Sequence, residues 1–209
     1  MRVLLVAAGD RPDIDLLNKY LNCSDKTIAI DKGAEVFIDN NLKPDYVVGD
    51  FDSISEKYND RIKNLEKYIY PSEKDYTDSD IAIRLAFKLQ ATEIIMLGMT
   101  GGRVDHMLGN LGLLDRCLKN NVRAYIIDKN SKIFLVDKKV LLDGEKNEVI
   151  SFYPFGETVK GLNIKNAKYE LEDYDLDPFE SLCNSNEFIG GKMDVSFKFG
   201  KLLVIYSKE

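Results

Sequence analysis

The feature that most limits how this chain can fold is a change of periodicity near residue 130. Before it, short apolar runs alternate with segments whose apolar residues recur three and four apart. Beyond it the helical spacing does not return, and short β-rich runs alternate with turns. Strands alternating with amphipathic helices imply a largely parallel sheet covered on both faces. Regularly spaced short strands imply an antiparallel sandwich. The chain is therefore expected to be α/β, with an N-terminal mostly parallel α/β sheet domain over residues 1–129. A C-terminal antiparallel β-sandwich domain is expected over residues 130–209.

In the first part, strands are predicted at Arg2 to Ala8, Thr27 to Ile30, Tyr46 to Val48, Tyr68 to Tyr70, Glu93 to Gly98 and Ala124 to Ile127. Pro12 is placed to start a helix whose buried side is Ile14, Leu16, Leu17 and Leu21. A second helix carries Val36, Phe37 and Ile38. Thr77 with Asp80 three residues on predicts a reciprocal N-terminal cap before a helix built on Ile81, Leu85 and Leu89. A further helix has Val104, Met107, Leu108, Leu111, Leu114 and Leu118 at helical spacing, with Gly109 and Gly112 inside it. In the second part the clearest strands are Lys132 to Val136, Glu148 to Phe152, Met193 to Phe197 and Leu202 to Tyr206. The acidic run from Glu170 to Glu180 reads as a solvated strand and loop.

A net charge of −6 over 209 residues, with no basic stripe, argues against a nucleic-acid partner. No apolar stretch approaches the roughly 20 residues of a membrane helix. The opening apolar run is short and meets Asp10 and Arg11 at once, so it reads as a core strand rather than a leader. Cys23, Cys117 and Cys183 are widely spaced, which suits free thiols in a reducing compartment. A cytoplasmic location is expected.

Chemistry concentrates in four loops of the first part, each where a strand ends or a helix begins. They are Asp31-Lys32-Gly33, Gly49-Asp50-Phe51-Asp52-Ser53, Lys74-Asp75-Tyr76-Thr77-Asp78 and Gly101-Gly102-Arg103-Val104-Asp105-His106. A parallel sheet gathers such loops along one edge. Asp50 and Asp52 share a side of an extended backbone, and two adjacent carboxylates call for a hard cation such as Mg²⁺. Glycines let backbone N–H groups approach phosphate oxygens, while Arg103 and Lys74 supply positive charge. The pattern fits a nucleoside polyphosphate. It lacks the spacing of a P-loop, and with His106 the sole histidine a multi-histidine metal site is excluded.

The series Asp31-x-Gly33-Ala34, Pro44-Asp45-x-x-x-Gly49-Asp50-x-Asp52-Ser53, Lys74-Asp75-x-Thr77-Asp78, Gly98-x-x-Gly101-Gly102-Arg103-x-Asp105-His106 and the late Ser185-Asn186-Glu187-Phe188 closely resembles the thiamine pyrophosphokinase family. The resemblance spans nearly the whole chain. It implies diphosphoryl transfer from ATP to the hydroxyl of thiamine, giving thiamine diphosphate and AMP, in a homodimer with sites between subunits. It implies that Asp50, Asp52 and Asp78 form the Mg²⁺ and phosphate site. Asp31, Gly33, Lys74, Gly102, Arg103 and Asp105 become its nucleotide-side neighbours, with Thr77 and His106 inside the same substrate-binding motifs. Ser185 and Asn186 match the loop that recognises the aminopyrimidine of thiamine.

Asp78 and Asp105 both stand open as acceptor of the alcohol proton. The chain has no Trp, so any ring stacked on the substrate is Tyr or Phe. Two rival readings remain on the residues alone. Val47-Val48-Gly49-Asp50-Phe51-Asp52 also resembles the nucleophile strand of haloacid-dehalogenase-like phosphatases, and the glycine loops would equally serve a nucleotide sensor. The first leaves the Gly101 to His106 loop without a use, and the second leaves the separate acidic loops without one.

Overall fold

The computed structural model describes residues 1–49, 55–62, 76–178 and 180–208. Contacts divide the chain into two compact units, Met1–Lys129 and Asn130–Glu209.

The first unit runs β1 (Arg2–Val6), α1 (Ile14–Leu21), β2 (Lys26–Ile30), α2 (Gly33–Asp39) and β3 (Tyr46–Val48). After a 3₁₀ turn at Glu56–Tyr58 come α3 (Asn59–Ile62), α4 (Asp78–Lys88), β4 (Glu93–Leu97), α5 (Val104–Lys119) and β5 (Arg123–Ile127). The strand expected at Tyr68 to Tyr70 lies outside the described residues. In space the strands stand in the order β3-β2-β1-β4-β5, every neighbouring pair parallel. Central strands β1 and β4 are apolar almost throughout because a parallel sheet is covered on both faces. Leu4, Val6, Phe37, Val47 and Leu97 lie in one apolar cluster of this unit.

Asp13, not Pro12, caps α1: its Oδ1 accepts from Leu16 N at 2.8 Å. Leu17 is buried on this helix, whereas Ile14 is exposed. At α4, Thr77 Oγ1 accepts from Asp80 N at 3.3 Å as expected. The return half of the cap is not made. Asp is one methylene shorter than the usual Glu, and the Asp80 carboxylate instead accepts from Arg84 Nε at 2.9 Å and from Arg116 Nη1 of α5. On α5 the buried residues are Leu113, Leu114 and Cys117. Val104 and Leu108 share the apolar spacing yet are 71% and 64% exposed. A Cβ added at Gly109 or Gly112 would meet nothing within 4 Å, so neither glycine serves close packing within the described chain.

The second unit is all β: β6 (Ser131–Val136), β7 (Val140–Asp143), β8 (Val149–Pro154), β9 (Val159–Lys165), β10 (Leu171–Leu176), β11 (Asn186–Glu187), β12 (Lys192–Ser196) and β13 (Leu202–Ser207). Two antiparallel layers, β11-β8-β13-β6 and β10-β9-β12-β7, enclose a shared core that includes Phe152, Leu162, Phe188, Val195 and Val204. The acidic run includes the strand β10, where Glu172, Asp173 and Asp175 are exposed, Leu176 is buried, and Leu171 and Tyr174 pack half-buried against the core.

Candidate active site

Because the five described strands of the first unit are parallel, their carboxyl ends share one edge. The backbone there is tightly interlaced. Gly9 N donates to Gly98 O at 2.8 Å and Asp10 N to Thr100 O at 2.6 Å. A Cβ at Gly98 (φ +69°) would fall 2.2 Å from Ala7 O, and one at Gly101 (φ +72°) 2.2 Å from Asp10 Oδ1. Those contacts, with the positive φ, require glycine. Thr100, almost buried, donates through Oγ1 to Asp128 Oδ2 at 2.9 Å, and Asn110 Nδ2 of α5 donates to Met99 O at 2.9 Å. The loop feeding Gly101 and Gly102 is thus held from the sheet, from β5 and from α5. Gly9, Asp10, Thr100, Asn110 and Asp128 were not singled out in the sequence; Gly9 at the end of an apolar strand was the available signal.

Gly102 (φ +61°) would meet nothing within 4 Å if a Cβ were added, and it leads into the first turn of α5. Arg103 caps that helix without a side-chain cap bond. Its guanidinium forks onto Asp105, Nε to Oδ1 at 3.1 Å and Nη2 to Oδ2 at 2.5 Å. Asp105 Oδ1 also accepts from His106 N at 3.0 Å. Arg103 holds the Asp105 carboxyl below the usual carboxylate range, and Asp105 in turn raises the guanidinium. Arg103, Asp105 and the His106 residue are exposed, so an incoming anion can compete for these groups.

At the neighbouring loop Asp31 adopts φ +49°, a strained choice for a residue with a Cβ, and donates its N–H to Val48 O at 2.8 Å. Its Oδ1 is buried. Gly49 (φ +145°) lies against it: an added Cβ would sit 3.2 Å from Asp31 Cα. The strand end that leads to Asp50 is therefore beside Asp31. Gly33 is buried where a Cβ would be 1.9 Å from Val6 O. Asp78 begins α4, half-buried, directly after the cap Thr77. Asp50, Asp52 and Lys74 lie outside the described residues. Among the described residues no three His, Cys, Asp or Glu side chains converge as a metal cluster. The donors in the Asp31, Asp50, Asp52 and Asp78 set are oxygens alone, which fits a hard divalent cation.

In the second unit Ser185 is exposed at φ +52°, its N–H donating to Ser151 Oγ at 3.0 Å. Asn186 is buried, and its carboxamide bonds the backbone of Tyr169 from both ends.

Comparison with known proteins agrees with this layout. The family model described as thiamin pyrophosphokinase, catalytic domain, matches residues 17–126. The one described as thiamin pyrophosphokinase, vitamin B1 binding domain, matches residues 136–204. Thiamine pyrophosphokinase of Bacillus subtilis is 35% identical over 209 residues, 98% of this chain and 98% of that protein. The crystal structure of a B. subtilis thiamine pyrophosphokinase aligns over 100% of both chains with a TM-score of 0.88 at 33% identity. A thiamin pyrophosphokinase from Candida albicans, 20% identical, shares the fold at a TM-score of 0.85 over 99% of this chain and 89% of its own. The chain belongs to the thiamin pyrophosphokinase family.

Proposed function

We propose that this chain transfers a diphosphoryl group from ATP to the hydroxyl of thiamine, giving thiamine diphosphate and AMP. The observation that carries the reading is the match of both halves of the chain to the two domains of one enzyme family. The sheet edge of the first unit supports it: an open Gly102, a helix start and an exposed Arg103 together suit a polyphosphate. On this reading residues 1–129 hold nucleotide and metal, and residues 130–209 hold thiamine.

In the reaction the hydroxyethyl oxygen of thiamine attacks the β-phosphorus, forming one O–P bond as the bond to the α-phosphate bridging oxygen breaks. AMP leaves with that electron pair, and the alcohol proton must pass to a base. Arg103 is prepared for exchange: a phosphate oxygen can replace Asp105 on the guanidinium. Release from the cation raises the proton affinity of Asp105, which suits it to accept the alcohol proton. Asp31, Gly33, Thr77 and His106 would line the nucleotide side with Gly102 and Lys74. Mg²⁺ would be held by Asp50, Asp52 and Asp78, where it would screen the polyphosphate charge. Positioning and charge neutralisation then supply most of the rate enhancement.

A homodimer fits the exposed strip of Val104, Leu108, Gly109 and Gly112 on one side of α5, which a second copy could cover. Light scattering on the parent and on Leu108→Glu checks this, the variant being expected to run as a monomer.

The reaction is tested by product analysis with ATP, Mg²⁺ and thiamine, omitting each in turn. Equal amounts of thiamine diphosphate and AMP are expected only when all three are present. Free phosphate formed without thiamine would favour a phosphatase, and tight ATP binding with no product would favour a sensor.

A further inference from the structure

Asp78 and Asp80 stand two residues apart at the start of α4. Asp78 belongs to the metal and phosphate site on the reading above, whereas Asp80 is 9% exposed and engaged inside the protein. The Asp80 Oδ1 takes two guanidinium groups, from Arg84 Nε of its own helix at 2.9 Å and from Arg116 Nη1 of α5. Arg84 is in turn stacked on Tyr76, its guanidinium carbon 4.0 Å from the ring centroid. The residue just ahead of Thr77 and Asp78 is thereby tied to the same carboxylate. A second tie runs beside the first. Ser79 Oγ donates to Met99 Sδ at 3.9 Å, and Met99 O accepts from Asn110 Nδ2 of α5 at 2.9 Å. Tyr76, Ser79 and Asp80 thus bracket Asp78 and hook the start of α4 onto α5 and onto the loop that leads to Gly101 and Gly102. The helix α5 runs unbroken over 16 residues, with Arg103 as its cap and Asp105 in its first turn.

A nearly buried carboxylate shared by two guanidinium groups is a costly way to join two helices. Each charge gives up water, and apolar side chains of similar size would often hold the helices as firmly. The ionic cluster adds direction, because charge-assisted hydrogen bonds fix an angle as well as a distance. Direction matters where a displacement of about 1 Å can cost about 100-fold in rate. We propose that Asp80 is a positioning residue for the Mg²⁺ complex of ATP, which sets Asp78 on α4 against Arg103 and Asp105 on α5 by way of Arg84 and Arg116. This rests on the reading of this sheet edge as a nucleotide site.

The test uses Mg²⁺ with α,β-methylene-ATP, which cannot be cleaved at the bond that the reaction breaks. Its binding is measured by calorimetry, beside steady-state kinetics, on the intact protein, Asp80→Asn, Arg116→Met and the double variant. Asp80→Asn should weaken binding of the analogue and raise the KM for ATP, each about tenfold, with the KM for thiamine unchanged. Arg116→Met should act in the same direction, and the double variant should be no worse than Asp80→Asn, since both act through one contact. Leu17→Val controls for lost stability. Leu17 is buried on α1 in an apolar cluster that, among the described residues, includes none from α4 or α5. This variant should lower Tm and leave binding of the analogue unchanged. Equal losses of affinity in Leu17→Val and Asp80→Asn would overturn the positioning role, as would multiplying effects in the double variant. A parent that makes thiamine diphosphate while Asp80→Asn binds the analogue within twofold of it sinks this proposal alone. A parent that makes no thiamine diphosphate, yet binds the analogue with the expected loss in Asp80→Asn, sinks the reading of the reaction and supports the positioning role. A parent that does not bind the analogue sinks both.

Discussion

Arg103 and Asp105 face each other through two parallel contacts, Nε to Oδ1 at 3.1 Å and Nη2 to Oδ2 at 2.5 Å, on side chains that are 71% and 62% exposed. Such a fork suits a carboxylate and a phosphate alike, and its exposure makes exchange between them easy. Arg103→Gln should lower kcat/KM for ATP by about 100-fold or more, and Arg103→Lys should recover only part, as a point charge without the fork. Asp105→Asn should mainly lower kcat, by about 10²–10⁴. The pH profile adds a sign. Since Arg103 holds the Asp105 carboxyl low, removing the guanidinium should move the acid limb of kcat/KM to higher pH. An acid limb that stays in place in Arg103→Gln would remove Asp105 as the base.

Asn110 lies two turns inside α5, and its Nδ2 donates to Met99 O at 2.9 Å, just before Thr100 and the two glycines. Asn110→Ala should cost about 1 kcal/mol in stability and loosen the loop. The kinetic consequence is a several-fold rise in the KM for ATP with the KM for thiamine unchanged. Equal changes in both constants, measured by varying each substrate at saturating levels of the other, would mean a general structural role instead.

What was legible in the sequence follows from what local spacing encodes. The apolar runs of β1 and β4 are visible because both faces of those strands are buried. The glycine and aspartate loops are visible because glycine at a strand end marks a turn that a side chain would block, as at Gly98 and Gly101. Partners far along the chain are not visible. Nothing local to Thr77-x-x-Asp80 shows that Arg116, 36 residues away, takes the carboxylate. Helical spacing gave the apolar positions of α5 but not how much of that side the chain covers, so Val104 and Leu108 gave no sign of being exposed. A motif can place Asn186 near a substrate loop without showing that its carboxamide turns inward to Tyr169.

The Asp80 carboxylate is nearly buried and accepts from both Arg84 and Arg116, joining α4 to α5. Asp80→Asn keeps the volume and removes the charge that two guanidinium groups share. A loss of about 2–3 kcal/mol is expected, read as a fall of several degrees in Tm. Ser at this position should behave like Asn or worse, whereas Thr77→Ala, which removes only the cap, should cost about 1 kcal/mol. A Tm for Asp80→Asn within a degree of the parent would show that the two arginines find other partners.

Asp45 gives the acid side of the stability profile. Its Oδ1 accepts from Lys26 Nζ at 2.8 Å, and its Oδ2 accepts from Thr27 N at 2.8 Å and Thr27 Oγ1 at 2.9 Å, fixing the turn into β3. Burial alone would raise this carboxyl, but the hydrogen bonds from Lys26 and Thr27 outweigh it and hold Asp45 below its ordinary value. A carboxyl lowered on folding stabilises the protein above its unfolded pKa, and that contribution is lost as pH falls through the lower folded value. Asp45→Asn should therefore be destabilised at pH 7 by about 1–2 kcal/mol, losing charge-assisted bonds at a half-exposed site. Its stability should also fall less steeply than the parent's as the solution is acidified below about pH 4. Urea unfolding of both proteins across that range measures the two slopes. Parallel slopes would mean that Asp45 has the same proton affinity folded and unfolded, and that the Lys26 and Thr27 bonds do not favour its charged form.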